Sequence, residues 1–289
     1  MSRKKIPFAI IYDFDGTLSP GNMQERNFIP AIGMNKKTFW TEVSSITKTH
    51  QADNILVYMK HMLDKASAAS VPVRKKDFKD YGKDLSFFNG ILSYLNEGNQ
   101  EDGWFERINK YGIESGIKIE HYIVSSGIRE MIEGTKIAKK FKSIYASSFF
   151  YDHNGVAVWP ALAINYTTKT QYIFRINKGC LDVSDDKIIN KYIPETKRAI
   201  PFSNMVYIGD GDTDIPCFRL VKDRGGYSIA VFKPNTRGAR KKTEKLISDG
   251  RVNFIAPADY KNGSNIDKIV KNILDKIQVE KSINGLKNC

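Results

Sequence analysis

The stretch Ile6-Pro-Phe-Ala-Ile-Ile-Tyr-Asp-Phe-Asp-Gly-Thr-Leu18 joins an apolar run to an acidic loop. The apolar run is continuous rather than alternating, which is typical of a strand that is covered on both faces in a parallel sheet. We therefore predict a buried strand over Ile6–Tyr12. Asp13 and Asp15 follow it directly, so both carboxylates are expected on the same side of the chain at the carboxyl end of this strand.

Two further strands are predicted to end in polar loops. His121–Val124 is followed by Ser125-Ser-Gly127, and Met205–Ile208 is followed by Gly209-Asp-Gly-Asp-Thr-Asp214. In open α/β sheets, ligands bind at the carboxyl ends of the strands. The sequence therefore predicts a single site that contains Asp13, Asp15, Ser125, Asp210 and Asp214.

Strands and helices alternate along the rest of the chain. Apolar, β-branched runs predict strands over Tyr227–Phe232 and Val252–Ala256, and helical periodicity is found between the strands. This alternation predicts an α/β fold with a doubly wound parallel sheet. The helices are predicted over Trp104–Ser115, Ile128–Lys139 and Lys187–Arg198.

The pattern changes between Leu18 and about Gly98. Thr38–Ser45 and Asn54–Ala66 resemble amphipathic helices, and we expect no strand in this region. Roughly 80 residues are too many for a simple connection, so they predict an inserted, mainly helical cap domain. The expected division is a core of residues 1–17 and 99–289 and a cap of residues 18–98. Within the core, the Asn-Gly turn at Asp152–Gly155 predicts a hairpin that begins with Ala146–Tyr151.

The charge of the chain is strongly positive. Its 289 residues include 45 Lys and Arg against 32 Asp and Glu, a net charge of +13, while 41% hydrophobic residues are typical of a folded protein. Arg74–Lys76 and Arg237–Lys245 are basic clusters, but neither has interleaved aromatic residues or a nucleic-acid-binding signature. We do not expect a nucleic-acid partner, because a basic field that attracts a small phosphorylated molecule explains the charge equally well.

The sequence also gives expectations about location. It contains no apolar run near the ~20 residues that a membrane helix needs. Met1–Lys5 is basic like the start of a signal peptide, but the following apolar stretch is too short for one. Cys180, Cys217 and Cys289 have neither metal-binding nor disulfide-framework spacing. We therefore expect a cytoplasmic protein with reduced thiols and no membrane partner; oligomeric state is left open.

Carboxylates that crowd together at strand ends indicate a cation. Asp13 and Asp15 would repel each other, and one pKa would rise unless a positive charge came between them. Mg²⁺ binds one or two carboxylates together with waters and a substrate phosphate. Asp210 and Asp214 would supply further carboxylates from another strand end.

The motifs resemble those of the haloacid dehalogenase (HAD) superfamily. Asp13-Phe-Asp-Gly-Thr-Leu18 is similar to its first motif, Ile123-Val-Ser125-Ser-Gly127 to its second and Gly209–Asp214 to its fourth, in the same order. The resemblance covers nearly the whole chain apart from the cap. It implies a Rossmann-like core with a cap of the type called C1, and a position in the phosphoserine-phosphatase-like branch.

The resemblance also implies roles for individual residues. Asp13 would be the nucleophile that forms an aspartyl-phosphate, and Asp15 the general acid and then the base. Mg²⁺ would be bound by Asp13, the Asp15 backbone carbonyl and Asp210, with Asp214 holding the waters of the metal. Ser125 and the amide of Ser126 would hold phosphate oxygens. The lysine of the third motif would be Lys169, at the start of a helix, with Lys178 as the alternative.

These roles imply a Mg²⁺-dependent phosphomonoesterase that acts on a small phosphorylated metabolite. A phosphotransferase or phosphomutase with the same intermediate is an alternative, as are a nucleic-acid-binding or end-processing protein and a catalytically silent regulator. Gln24 and Glu25 are candidate specificity residues because they follow the first motif. Phe39 and Trp40 are expected in the core of the cap, and Asp212 is expected to be a simple turn residue.

Overall fold

A seven-stranded sheet lies at the centre of the computed structural model, which describes residues 5–286, apart from the side chains of residues 284 and 285. The sheet order is β6-β5-β4-β1-β7-β8-β9, and every neighbouring pair is parallel except β5 and β6. The strands are β1 (Ile6–Tyr12), β2 (Tyr94–Asn96), β3 (Asn99–Glu101), β4 (Ile117–Ile128), β5 (Ser143–Tyr151), β6 (Ala157–Leu162), β7 (Met205–Gly209), β8 (Tyr227–Phe232) and β9 (Phe254–Pro257), with β2 and β3 forming a separate hairpin.

Helices cover both faces of this sheet. They are α1 (Phe28–Ala31), α2 (Lys36–His50), α3 (Asn54–Ala68), α4 (Lys75–Lys83), α5 (Trp104–Glu114), α6 (Arg129–Glu133), α7 (Lys169–Lys178), α8 (Asp186–Asn190), α9 (Ile215–Asp223), α10 (Ala239–Ser248) and α11 (Asn265–Leu286).

The central strand β1 separates two apolar cores. Phe8, Ile10 and Tyr12 belong to a core that also contains residues of α5 and α11. Ala9 and Ile11 point to the other face and belong to a second core, with residues of α7 and α9. Because successive side chains of a strand face opposite sides, a strand that feeds two cores must be apolar at every position. The predicted doubly wound α/β fold is therefore confirmed.

Four helices, α1–α4, lie within residues 18–98, where the helical cap was predicted. α2 and α3 pack against each other, and α3 also contacts β6. α4 instead packs tightly on α6: a side chain at Gly82 would meet the Met131 carbonyl, and one at Gly134 would meet the Lys79 carbonyl. The cap is thus mainly helical and touches the core at several places, while its boundaries at residues 18 and 98 stay predictions.

The structure corrects the extent of several elements. The strand that was predicted to end before Ser125 continues through Ile128, with an irregular register after Val124. The helix predicted over Ile128–Lys139 ends at Glu133, where the chain reaches the close contact at Gly134.

Proline and short strands account for the other differences. The helix predicted over Lys187–Arg198 is limited to α8 and a short 3-10 helix over Glu195–Lys197, since Pro194 between them has no N–H to donate. β9 begins at Phe254 rather than Val252. The expectation of no strand between Leu18 and about Gly98 is wrong, because β2 lies there and pairs with β3; three-residue, mostly polar strands carry no periodic signal.

Other expectations agree with the described residues. The predicted hairpin is formed by β5 and β6, and the Asp152 side chain accepts hydrogen bonds from the amides of Asn154 and Val156 in its turn. Cys180 and Cys217 are free and buried. Residues 1–4 of the basic N-terminal segment and Cys289 lie outside the described residues.

No helix within residues 5–286 is both long enough and apolar enough to cross a bilayer.

Candidate active site

The strand order places three polar loops side by side. β4, β1 and β7 are neighbours and parallel, so the residues at their carboxyl ends meet at one edge of the sheet. A cavity of about 470 Å³ opens there. Of the predicted site residues, it is lined by Asp13, Asp15, Ser125, Ser126 and Asp210.

Asp13 is held at the floor of this cavity. Its backbone amide donates to the Ile208 carbonyl at 2.9 Å, which continues the pairing of β1 with β7. Its Oδ1 accepts the Phe14 amide at 2.7 Å, and its Oδ2 lies 3.1 Å from the Nζ of Lys169. The carboxylate is only 5% exposed. One carboxylate is therefore fixed in orientation and faces the cavity from a buried position.

Lys169 is the cation beside Asp13. Its side chain is fully buried at the first residue of α7, and its Nζ donates to the Oδ1 of Asp214 at 2.7 Å. Although burial acts to lower its pKa, the charges of Asp13 and Asp214 raise it above the usual value. The ammonium group thus stays charged between two carboxylates. Lys178, the alternative, instead donates to the carbonyls of Ile189 and Lys191.

The Asp214 carboxylate is buried, accepts several hydrogen bonds and does not line the cavity. Its Oδ1 accepts the Tyr207 hydroxyl at 2.7 Å in addition to Lys169, and its Oδ2 accepts the amides of Asp210 and Gly211 at 3.1 and 3.2 Å. These bonds engage both oxygens and fix the loop after β7. This geometry positions Lys169 and Asp210, while the expected role of Asp214 toward metal-bound water stays a prediction.

Asp15 also lines the cavity. Its Oδ1 accepts the Met23 amide at 3.0 Å, which ties the acidic loop to the segment that leads into the cap. Burial and the neighbouring charge of Asp13 raise the pKa of Asp15 well above its usual value. A carboxyl group with a raised pKa beside an ionised one is a natural proton donor.

Gly16 makes room for Asp210. Its φ of +74° lies in the left-handed region, and a Cβ atom there would come within 2.0 Å of the Oδ2 of Asp210. Glycine is therefore required at this position both for the backbone and for the space. In the sequence this glycine belongs to the first motif, but nothing there indicates its contact with Asp210.

The crowding of acids shifts their pKa values upward. Burial raises the pKa of Asp13 to about 6 despite the opposing charge of Lys169. Burial and the charges of Asp214 and Asp13 raise the pKa of Asp210 to about 8. Each carboxylate thus lacks enough positive charge from the protein alone.

This deficit fits a divalent cation. One oxygen each from Asp13, Asp210 and Asp214 lie within 4.8 Å of one another. An all-oxygen donor set suits Mg²⁺ better than a softer metal. Because Asp214 is engaged by its four donors, Asp13 and Asp210 are the carboxylates free to bind the ion directly.

The serines of the second motif line the same cavity as these acids. The Ser125 Oγ accepts the Gly127 amide at 3.1 Å, which shapes the irregular end of β4. The backbone carbonyl of Ser126 accepts the Tyr58 hydroxyl at 2.6 Å, so a cap helix is anchored directly to this motif. The Ser126 Oγ is buried without a hydrogen-bond partner, so it has an unused capacity at the cavity wall.

Residues of the cap segment form the roof. Gln24 and Trp40 line the cavity, whereas Phe39 is fully buried in the apolar core as expected. Glu25 lies outside the lining, with its Oε1 accepting the Trp40 Nε1 at 2.9 Å. Trp40 is only partly buried, so it both packs against this core, as expected, and presents surface to the cavity.

Some functional side chains carried no signal in the sequence. Tyr58 follows the apolar pattern of α3, and Tyr207 follows that of β7, so each resembles a core residue until its hydroxyl partner is seen. Asp212 behaves as expected for a turn residue, since it is exposed and pairs with Lys242 on α10.

Comparisons with known proteins agree with this arrangement. A family model described as haloacid dehalogenase-like hydrolase matches residues 10–219. An uncharacterized protein of Borreliella burgdorferi is 30% identical over 301 aligned residues, which cover 96% of this chain and 99% of that protein. The chain therefore belongs to the haloacid dehalogenase-like hydrolase family, and the resemblance seen in the motifs is confirmed.

Solved structures share the fold at low sequence identity. A HAD family hydrolase from Salmonella enterica serovar Typhi superposes with a TM-score of 0.56 at 13% identity, over 93% of this chain and 72% of that one. A substrate-bound phosphoserine phosphatase gives a TM-score of 0.53 at 17% identity, over 94% and 99%. The HAD-type architecture is thus confirmed independently of the motifs.

Proposed function

We propose that this protein is a Mg²⁺-dependent phosphomonoesterase that hydrolyses a small phosphorylated metabolite through an aspartyl-phosphate on Asp13. The observation that carries the proposal is the Asp13 carboxylate itself. It lines the cavity, is oriented by the Phe14 amide, and has Lys169 at 3.1 Å. A similar fold is found in a structure described as the phospho-aspartyl intermediate analogue of phosphoserine phosphatase, with a TM-score of 0.51 and 16% identity.

In the first half-reaction, an oxygen of Asp13 attacks the phosphorus of the substrate. The bond between phosphorus and the leaving oxygen breaks as the bond to Asp13 forms. Asp15, whose raised pKa favours the protonated form, donates its proton to that oxygen, so the leaving group departs as a neutral alcohol. Lys169 and the hydroxyl-rich second motif balance the negative charge of the phosphoryl group.

In the second half-reaction, water attacks the phosphorus of the aspartyl-phosphate. Asp15 is now ionised and takes the proton of the water, and the bond between Asp13 and phosphorus breaks. Inorganic phosphate leaves, and both carboxyl groups return to their starting states. A single residue, Asp15, thus exchanges the proton in both steps.

Asp13, Asp210 and the backbone carbonyl of Asp15 would hold Mg²⁺. When bound, the ion supplies positive charge for the phosphate oxygens and for the crowded carboxylates. Asp214 would contribute indirectly, because its carboxylate accepts hydrogen bonds from Lys169 and from the Asp210 amide and so positions both residues.

Hydrolysis of p-nitrophenyl phosphate by the purified chain tests the proposal. We expect turnover that depends on Mg²⁺ and disappears with EDTA. Asp13→Asn should reduce turnover to background. Asp212→Asn is the matched control, because it is the same change at an exposed acid of the fourth motif and should leave turnover intact.

Trapping of the intermediate separates this mechanism from direct attack by water. Beryllium fluoride with Mg²⁺ should inhibit the native chain, and it should bind to the native chain and not to Asp13→Asn. Full turnover in Asp13→Asn would contradict the nucleophile. Phosphate recovered on an added alcohol instead of in solution would indicate a phosphotransferase.

A further inference from the structure

We propose that the leaving group of the substrate is an uncharged, hydroxylated alcohol, such as a sugar or polyol, that donates a hydroxyl hydrogen bond to Gln24 and packs on Trp40. This inference rests on the proposed phosphatase function and adds the substrate class. It is drawn from the cap side of the cavity, away from the residues that would handle the phosphoryl group.

The cap side of the cavity carries no charge among the described residues. The side chains that project there are amides, aromatic rings and an aliphatic group. The acids of the lining are Asp13, Asp15 and Asp210, all at the phosphoryl end, and its cation is Lys233, which follows β8 on the core side. The cap-side lining comprises Asn22, Gln24, Trp40, Asn54, Ile55, Tyr58 and Phe88.

Gln24 has an unused acceptor in this wall. The residue is 2% exposed, and its Oε1 is buried without a hydrogen-bond partner. Tyr58, which lies beside it, cannot supply the missing proton because its hydroxyl donates to the Ser126 carbonyl at 2.6 Å. A buried carbonyl oxygen without a partner costs free energy, and a hydroxyl donor from a bound ligand would recover it.

Glu25, which follows Gln24 in the chain, already has hydrogen-bond and ion-pair partners. Its Oε1 accepts the Trp40 Nε1 and the Asn22 Nδ2, both at 2.9 Å, and its Oε2 lies 3.7 Å from the Nζ of Lys36. The carboxylate thus fixes the Trp40 ring from behind. A fixed aromatic ring at a cavity wall offers an apolar surface that suits the C–H face of a sugar or polyol.

A zwitterionic amino acid fits this chamber poorly. Its ammonium group would need a carboxylate on the cap side, where Glu25 is engaged and lies outside the lining. A buried charge without a partner is strongly unfavourable. O-Phospho-L-serine is therefore expected to be a poor substrate, although a phosphoserine phosphatase shares the fold. A quaternary ammonium could still stack on Trp40, so phosphocholine is the second comparison.

The test compares kcat/KM of the full chain, with Mg²⁺, for five phosphate esters. These are sorbitol 6-phosphate, glucose 6-phosphate, O-phospho-L-serine, phosphocholine and p-nitrophenyl phosphate. We expect at least one of the two hydroxylated esters to exceed phosphoserine and phosphocholine by about tenfold or more, which is the effect of one or two hydrogen bonds. A preference for phosphoserine or phosphocholine overturns the inference.

Gln24→Met tests the assigned residue. It keeps the length of the side chain and removes the amide, so kcat/KM for the preferred ester should fall about fivefold to tenfold relative to the aryl phosphate, mainly through KM. Gln278→Leu, at an exposed position of α11, is the control and should leave this ratio unchanged. An unchanged ratio in Gln24→Met overturns the role of Gln24.

The two proposals fail in different ways. Hydrolysis of the aryl phosphate together with preference for a charged leaving group leaves the phosphatase function standing and overturns the inference about the substrate. Failure of the native chain to hydrolyse any of the five esters overturns the proposed function, and the substrate class falls with it.

Discussion

Lys169→Met removes the ammonium group that lies between Asp13 and Asp214, and we expect it to lower both stability and activity. The side chain is fully buried, with 2.7 Å to the Oδ1 of Asp214 and 3.1 Å to the Oδ2 of Asp13. Methionine has nearly the same length as lysine and is flexible, so the change removes charge more than volume. Two buried carboxylates then face each other without their cation.

The magnitude follows from what each carboxylate retains. Removal of one partner from a buried ion pair costs about 3–5 kcal/mol. Asp214 keeps the Tyr207 hydroxyl and two amides, and Asp13 keeps the Phe14 amide. These donors compensate part of the loss, so we expect the lower end, about 3 kcal/mol of the free energy of unfolding. Loss of a charge at the transferring phosphoryl group should also reduce kcat by about 10²–10³-fold.

The assay is urea unfolding followed by circular dichroism at pH 7.5 in EDTA, so that added metal does not replace the lost charge. Lys178→Met is the matched control on the same helix. Its ammonium group donates these hydrogen bonds to two backbone carbonyls and not to a carboxylate. Its loss should therefore lower the free energy of unfolding by only about 1 kcal/mol and leave kcat within about twofold.

A double variant tests whether the unpaired carboxylates cause the loss of stability. Lys169→Met with Asp13→Asn removes one of the unpaired carboxylates and should recover part of the lost stability. Equal stability of Lys169→Met and Lys178→Met, or no recovery in the double variant, would refute the buried pairing as the source of the loss.

Two further predictions concern the surroundings of the site. Gly16→Ala should reduce kcat/KM by about 10²-fold, because the new Cβ would lie 2.0 Å from the Oδ2 of Asp210 and would push the carboxylate away. Gly263→Ala is the control, because Gly263 has a similar φ of +73° but open space around it. This variant should lose about 1 kcal/mol of stability and keep its activity. Burial lowers the pKa of His121 to about 3, so the unfolded chain takes up its proton near pH 6.5 while the folded chain does not. The free energy of unfolding should therefore decrease as the pH is lowered, with about 2 kcal/mol lost through this group at pH 5. Urea unfolding at pH 7.5 and 5.0 should show a smaller pH effect in His121→Leu than in the native chain. Equal pH effects in the two proteins would contradict the prediction.

The hydrogen bonds of the His121 ring favour its neutral form in addition to burial. Trp104 donates to the Tyr12 hydroxyl at 2.8 Å, and the Tyr12 hydroxyl lies 3.0 Å from the Nδ1 of His121. Because Tyr12 already accepts from Trp104, its own proton goes to Nδ1, and Nε2 carries the hydrogen that reaches the Asn109 Oδ1 at 3.1 Å. A second proton on the ring would remove the acceptor of Tyr12.

The fold was predictable because its central strands carry the signal within a few residues. β1 is apolar at each of its positions, since each face of the sheet is covered, and the acidic loop follows it directly. The extent of β4 was not predictable in the same way. Ser125-Ser-Gly127 has turn-forming composition, but pairing with β5 resumes at Ile128 and keeps this segment in the strand.

The cap was predictable as a helical insertion, although its faces were not. Helical periodicity identifies which residues of α2 and α3 are apolar, and it does not tell whether an apolar side chain faces the core or a ligand. Trp40 and Phe39 are adjacent in the sequence, yet Phe39 is buried and Trp40 lines the cavity. Gln24 and Glu25 separate in the same way, and only their partners distinguish them.

The chain by itself determines the chemistry at the strand ends, because Asp13, Asp15, Ser125 and Asp210 are attached to strands whose parallel order brings them to one edge. The choice of Lys169 over Lys178, the engagement of Asp214 and the composition of the roof depend on packing between segments far apart in the sequence. No local pattern encodes such contacts, since they arise from how helices and loops settle on the finished sheet.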